Sequence, residues 1–201
     1  MTAKTRFQER YERGDTPWDI GQPDFNLMET VTRTPITPGK ALDIGCGTGD
    51  NTIWLCQQHF SALGIDASAI AIAKAREKAL KAGVQCTFKK LDFLAGRIKE
   101  APFGLAFDRG CFHALNSDKE RKRFAAHVHA HLAKEGLWLS LVGNTDEQRH
   151  AAGPPQRTAG EIVRAVEPYF EILSLVSTHF GSLRPNPPRA WACLMRKRVA
   201  P

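Results

Sequence analysis

Leu42–Asp50 reads LDIGCGTGD. An apolar run (Ala41, Leu42, Ile44) meets glycines at alternate positions, Gly45, Gly47 and Gly49, and a helical-looking segment, Asn51–His59, follows. That is a strand, a tight turn and a helix start, an arrangement that lets the backbone approach a nucleotide-like ligand closely. The usual dinucleotide fingerprint, G-x-G-x-x-G, is broken in two ways. Its third glycine is replaced by Asp50, and an acid, Asp43, sits two residues before the first glycine. Carboxylates so close to the cradle disfavour a pyrophosphate and favour a ligand that carries positive charge.

A second apolar run ends in Leu63-Gly64-Ile65-Asp66, about 20 residues on, where an acid that binds ribose hydroxyls is expected. S-adenosylmethionine fits both features: it has no phosphate, a positive sulfonium and an ammonium group. LDIGCGTG and GIDAS together resemble the first two motifs of the class I S-adenosylmethionine-dependent methyltransferases, a resemblance covering Lys40 to the C-terminus. It implies S-adenosylmethionine as cofactor, S-adenosylhomocysteine as product and no metal. The cofactor would be held by Asp43, Gly45, Cys46, Gly47, Gly49, Asp50, Asp66 and Ala67. In that family an acid after the third strand binds the adenine amino group beside an apolar neighbour, which falls on Asp92 and Phe93 here. Asp108, after the fourth strand, completes the expected set.

The bulk properties narrow the class. At 201 residues and 42% hydrophobic, the chain suits one domain with a full core: an N-terminal helical and lid segment over 1–34 and a catalytic core over 35–201. No run of 18 apolar residues suggests a membrane span, and MTAKTRFQERYERGD has no hydrophobic signal region. Five cysteines without regular spacing suit reduced thiols, and so a cytoplasmic setting. Net charge is +7, which would suit nucleic acid or an acidic substrate. The basic residues are spread out apart from Lys119–Arg123 and Arg196–Arg198, so a soluble basic surface is the preferred account and no nucleic-acid partner is expected.

Residues 3–13 carry Phe7 and Tyr11 four apart among charges, the stripe of a short surface helix. GDTPWDIGQP (Gly14–Pro23) then breaks helicity with two glycines and two prolines. Its Trp18 either pins a loop to the core or belongs to a lid that walls the methyl acceptor. The wording resembles the thiopurine and halide/thiol methyltransferase branch, in which a G-x-T-P-W-D stretch precedes the catalytic domain. Further helices are expected over Asp24–Arg33, over 69–82 behind a Ser68 cap with Gly83 as stop, from a Ser117/Glu120 capping box to Lys134, and from a Thr158/Glu161 capping box to Val166. Strands are expected over Gln85–Leu91, Phe103–Phe107, Leu137–Val142, Glu171–His179 and Arg189–Arg196, with a polar loop over 143–157. The alternation predicts a Rossmann-like α/β fold: a seven-stranded, mostly parallel sheet with a C-terminal antiparallel hairpin and helices on both faces.

In an open α/β sheet, ligands lie beyond the C-terminal strand ends, so Asp108-Arg109-Gly110 bears on the acceptor. FDRG resembles the thiopurine methyltransferase pattern in which the arginine reaches the substrate, and Gly153–Pro155 resembles the thiol/halide branch. Trp18, Arg109 and Phe112 are therefore the candidate acceptor-side residues, and Arg109, Asp108 and His113 the catalytic ones. Thiols ionise near ~8.5, so a guanidinium at Arg109 would favour a thiolate with no strong base present. An oxygen acceptor would call for a dedicated base, for which His113 is the candidate. Other fragments carry less. Asn186-Pro187-Pro188 is followed by Arg189 rather than an aromatic residue, and it does not follow the fourth strand. His127, His129 and His131 lack an indicated third ligand partner, and Cys111 reads as a small packing residue. The expectation is a methyltransferase acting on a small molecule, with a thiol or related chalcogen nucleophile as the leading acceptor. The alternatives are a small-molecule oxygen or nitrogen acceptor, RNA, or cofactor binding without catalysis. Oligomeric state is open at this level.

Overall fold

A computed structural model describes residues 3–147 and 153–199, and the chain forms two compact units, 1–96 and 97–201. In the first unit, helices α1 (Ala3–Arg13) and α2 (Phe25–Arg33) precede strand β1 (Lys40–Ile44). Asp24 caps α2, its Oδ1 accepting the Asn26 N–H at 3.0 Å, so the acid ends the loop and starts the helix in one residue. Strands β2 (Ser61–Asp66) and β3 (Thr87–Lys90) run parallel to β1 in the order β3-β2-β1. The connections are α3 (Asp50–Gln57) and α4 (Ala69–Lys81). Four of the five residues of β1 and four of the six of β2 are buried, as expected of parallel strands covered on both faces.

Helix α4 begins where Ser68 Oγ accepts the Ala71 N–H and stops at Gly83, which has φ +66°. Its buried residues, Ala71, Ile72, Ala75 and Ala79, make one narrow face. Ile72, Ala75 and Ala79 pack with Cys46, Ile53 and Phe88. That face is built of small side chains, so the helix lies close beneath the glycine turn.

The second unit contains β4 (Phe103–Arg109), α5 (Asp118–His131), β5 (Leu132–Asn144), β6 (Gln156–Arg157), α6 (Ala159–Val166), β7 (Phe170–His179) and β8 (Arg189–Lys197). β4 and β5 are parallel, β8 and β7 follow antiparallel, and the order is β4-β5-β8-β7. Trp138, Phe103, Phe107, Phe112 and Phe170 are wholly buried. Both predicted capping boxes are formed. The mostly parallel sheet with its C-terminal antiparallel hairpin matches the expected architecture.

Three local expectations need correcting. The helix expected to run to Lys134 ends at His131, and β5 begins at once with Leu132. Leu132 is 3% exposed and pairs with Phe103, after which the register shifts so that Leu105 meets Leu137. Burying Leu132 in the sheet outweighs the helix preference of Leu-Ala-Lys, and Glu135 takes φ +60° in the resulting bulge. β3 is shorter than Gln85–Leu91, at four residues. The loop over 143–157 contains β6, which pairs in parallel with Gly143 and Asn144; its residues 148–152 lie outside the described residues.

Candidate active site

In the first unit the register sets Asp43 beside Gly64 and Ile44 beside Ile65, so β1 and β2 end side by side. The Cys46 N–H donates to the Ile65 carbonyl at 2.9 Å, which fastens the turn to the end of β2. Gly45, Gly47 and Gly49 all have positive φ, a region costly for side-chain-bearing residues. Space is equally decisive. A Cβ on Gly47 would fall 2.9 Å from the Tyr11 hydroxyl, and one on Gly49 would fall 2.8 Å from Ala75 Cβ and 3.0 Å from the Phe88 ring.

Asp66 closes β2. Its Oδ2 accepts the Gly47 N–H at 3.1 Å and its Oδ1 accepts the Ser68 N–H at 2.8 Å. Burial pushes its carboxyl above the ordinary range, against the pull of those two bonds. An ionised carboxylate offers about four lone-pair positions, so these two bonds leave acceptor capacity for a pair of hydroxyl donors.

The other acids are differently placed. Asp43 is 1% exposed and accepts the Thr52 hydroxyl at 2.6 Å. Asp50 Oδ2 accepts the Lys78 ammonium at 2.7 Å. Asp92 caps a short turn over Phe93–Ala95, its Oδ1 accepting the Leu94 N–H at 3.2 Å, and Phe93 is buried. Cys46 is also buried, while Ala67 is half-buried. A glycine turn with no room for side chains at Gly47 and Gly49, flanked by carboxylates and by Asp66 with spare acceptor capacity, has the chemistry to receive a cation-bearing nucleoside. It does not suit a pyrophosphate.

The N-terminal segment reaches this turn. Tyr11, read from sequence as part of a surface stripe, is 5% exposed, and burial pushes its phenol pKa up. Its hydroxyl receives the Trp18 Nε1–H at 3.1 Å. Trp18 also meets Phe7 edge-on at 5.1 Å and carries the Arg10 guanidinium at 4.7 Å from its ring centroid. Of the two sequence readings of Trp18, a pinned loop and a lid, this geometry contains the common part: an aromatic cluster seated over the glycine turn. Thr48, Lys78 and Asp19 also meet there. No sequence signal marked Lys78, which sits among other charges in AREKALK.

In the second unit, Asp108 is fully buried. Its Oδ1 accepts the N–H groups of Cys111 (3.1 Å) and Phe112 (3.0 Å), and its Oδ2 accepts Trp138 Nε1–H at 3.0 Å. Burial pushes its carboxyl up to about 6. These bonds fold the 110–114 turn. Phe112 is wholly buried, with its ring edge-on to Phe124 and Trp138, so its bulk is spent on the core. Arg109 is half-buried; its Nη2 donates to the Gly181 carbonyl at 2.7 Å, and its guanidinium lies 5.4 Å from the Phe180 ring centroid.

His113 is 4% exposed, and its Nδ1 lies 2.9 Å from the Gly143 N–H. A backbone N–H can only donate, so Nδ1 accepts and neutral His113 carries its proton on Nε2. Gly143 has no room for a side chain against the Pro155 carbonyl, so the Gly153–Pro155 fragment backs the residue that orients His113. The helix-borne histidines have packing partners instead. His131 donates from Nδ1 to the His127 carbonyl (2.7 Å) and accepts the Ile98 N–H at Nε2 (2.9 Å), while His129 bonds the Arg198 carbonyl (3.0 Å).

The family model for thiopurine S-methyltransferase (TPMT) matches residues 2–189. Thiocyanate methyltransferase 1 of Brassica oleracea is 28% identical over 183 residues, which is 90% of this chain and 76% of that protein. Among solved structures, one described for the conversion of a disulfide bond into a thioacetal group during echinomycin biosynthesis superposes with a TM-score of 0.82. It is 22% identical, with 96% of this chain and 91% of that chain covered. Magnesium protoporphyrin IX methyltransferase from Synechocystis PCC 6803 with bound SAM gives 0.74 at 15% identity, with 98% of each chain covered. The chain belongs to the thiopurine S-methyltransferase family and is an S-adenosylmethionine-dependent methyltransferase.

Proposed function

We propose that the chain transfers a methyl group to a small thiol or related chalcogen nucleophile, working as one catalytic domain with residues 1–34 as its lid segment. The cofactor would supply a methyl group activated by the sulfonium. Asp66 would accept the ribose hydroxyls, the backbone of Gly45–Gly49 would lie against the cofactor, and Ala67, Asp92 and Phe93 would meet its adenosine part. Gly14–Pro23, with Trp18, would exclude water from the reacting centre.

The observation that carries the sulfur reading is the hydrogen bond from Gly143 to His113 Nδ1. It occupies one ring nitrogen as acceptor and leaves the proton on the other, so neutral His113 has no available lone pair with which to deprotonate an alcohol. A thiol needs no such base, because a few per cent is already ionised at neutral pH. Arg109 would favour that anion, and in-line displacement then depends mainly on positioning. The similarity to a thiocyanate methyltransferase points to the same chemistry.

The test sets Arg109 against His113 with an acceptor panel of thiols, thiopurines, halides, catechols, amines and RNA. With a sulfur acceptor, the rate should rise with pH along the acceptor's own ionisation, and thiols of lower pKa should plateau at lower pH. Arg109→Lys should keep part of the activity, Arg109→Met less, and His113→Gln most of it. A pH profile independent of acceptor pKa, with His113→Gln slowed by about 10²–10⁴-fold, would replace sulfur with oxygen.

A further inference from the structure

The N-terminal segment is held to the glycine turn at two places. One is the aromatic cluster around Trp18. The other lies one residue on, where three polar side chains from three stretches of chain converge on a single ammonium. Lys78, on α4, donates to Asp50 Oδ2 at 2.7 Å, to Thr48 Oγ1 at 2.7 Å and to Asp19 Oδ1 at 3.2 Å. An ammonium has three N–H bonds, and all three are used. Thr48 accepts from Lys78 and its hydroxyl donates to Asp19 Oδ1 at 2.8 Å. Asp19 belongs to the Gly14–Pro23 segment, Thr48 to the glycine turn, and Asp50 to the first turn of α3.

Side-chain exposures of 33% for Lys78, 20% for Asp19 and 17% for Asp50 set this cluster apart from the exposed pairs elsewhere in the unit. Burial works to raise the Asp19 carboxyl, but the Thr48 hydroxyl and Lys78 ammonium outweigh it and hold the group below its ordinary range. Gly14 and Gly21 flank the Asp19 stretch with φ of +70° and +69°, and a Cβ on either would meet nothing within 4 Å. They are therefore glycines for their backbone angle and not for want of space, which sets a left-handed backbone position on each side of Trp18 and Asp19.

We propose that Lys78 is a positioning residue that latches the Asp19 end of the lid onto the glycine turn, so that lid closure and the shape of the cofactor turn are set by one shared contact. The proposal rests on the lid reading of Gly14–Pro23. Lys78 acts through Asp19, Thr48 and Asp50 and touches no reacting atom. The aromatic cluster holds Trp18, and the Asp24 N–H holds the far end of the segment by donating to Asn51 Oδ1 at 2.8 Å; the ammonium ties the Asp19 side chain between them to the glycine turn.

The test uses Lys78→Met, Lys78→Arg, Asp19→Asn and the Lys78→Met/Asp19→Asn double variant in the full-length chain. S-adenosylhomocysteine dissociation is followed by stopped flow, and hydrogen exchange is read over residues 14–23 and 69–81. Lys78→Met should speed dissociation about tenfold and raise exchange across 14–23 while 69–81 stays protected. Lys78→Arg should recover part of both effects. The double variant should be no worse than either single one, because the two substitutions break the same contact. Unchanged exchange in 14–23, or effects of the two substitutions that multiply, would overturn the latch. Loss of protection across 69–81 as well would show that Lys78 supports the helix rather than the lid, which also overturns it. Deleting residues 1–23 separates the two levels: normal turnover without them removes the lid reading itself, whereas a dead truncation beside an unaffected Lys78→Met removes only the latch.

Discussion

Asp66→Asn tests the proposed ribose contact most directly, because the substitution replaces one oxygen with an NH₂ group and the partners of both oxygens are defined. The wild-type carboxylate accepts one backbone N–H on each oxygen, from Gly47 and Ser68. An amide keeps one acceptor and turns an NH₂ group toward the other N–H, so one of these bonds is lost whichever way it sits. That alone should cost about 1–3 kcal/mol of folding stability. If the remaining lone pairs take ribose hydroxyls, losing the charge should cost a further 1.5–3 kcal/mol or about 10- to 200-fold in S-adenosylhomocysteine affinity. Burial holds the carboxyl above its ordinary range, and hydroxyl donors would favour the ionised form. Affinity should therefore fall as pH falls through that raised pKa, and the pH dependence should vanish in the variant.

Calorimetry of S-adenosylhomocysteine and its 2′-deoxy analogue against both proteins gives a complete cycle. Wild type should bind the deoxy compound more weakly, and Asp66→Asn should show little of that difference. Urea unfolding of the same samples establishes that the variant is folded at the temperature of measurement. A folded variant with unchanged affinity, or an equal deoxy penalty in both proteins, would remove Asp66 from the ribose.

Gly64→Ala would place a Cβ 2.7 Å from Thr52 Oγ1 and 2.8 Å from the Phe88 ring, so unfolding free energy in urea should drop by about 1–3 kcal/mol; an unchanged midpoint would refute the close packing. For Asp108, a carboxyl held at about 6 keeps its proton longer in the folded than in the unfolded state. Its contribution is then greatest below the ordinary 3.8 and declines as pH rises to about 6, by about 3 kcal/mol. The stability difference between wild type and Asp108→Asn should fall by that amount across this range in chemical denaturation at stepped pH, and a flat difference would overturn the buried-carboxyl account.

What could be read in advance depended on whether a residue's role is written into the backbone. The glycine turn was legible because positive φ and close approach admit almost no other residue, and the place of Asp66 at the end of β2 because its distance from the turn is set by the length of one crossover. Ser68, Ser117 and Thr158 were legible because capping is local. The end of α5 was not. Leu-Ala-Lys is helical by preference, and only the pairing of Leu132 with Phe103, a contact distant in sequence, decides that the chain leaves the helix at His131. Tyr11 was misplaced for a related reason. A narrow stripe among charges looks like a surface helix, and its burial comes from Trp18 and the Gly47 turn.

The same distinction separates the residues at the proposed acceptor side. Asp108, Arg109, Phe112 and His113 are consecutive or nearly so, and as a string they look like one catalytic constellation. Their hydrogen bonds divide them. Asp108 spends both oxygens on the turn and on Trp138, Phe112 fills the core, and His113 takes the Gly143 N–H at the nitrogen that a base would need. Each of these ties is within the second unit and would persist whatever the acceptor. Arg109 differs in kind: its guanidinium is a permanent cation on a fixed plane, and the bond to the Gly181 carbonyl sets its direction. Under the proposed sulfur chemistry, a cluster that positions a cation and gives its histidine no basic role would serve an acceptor that arrives as an anion.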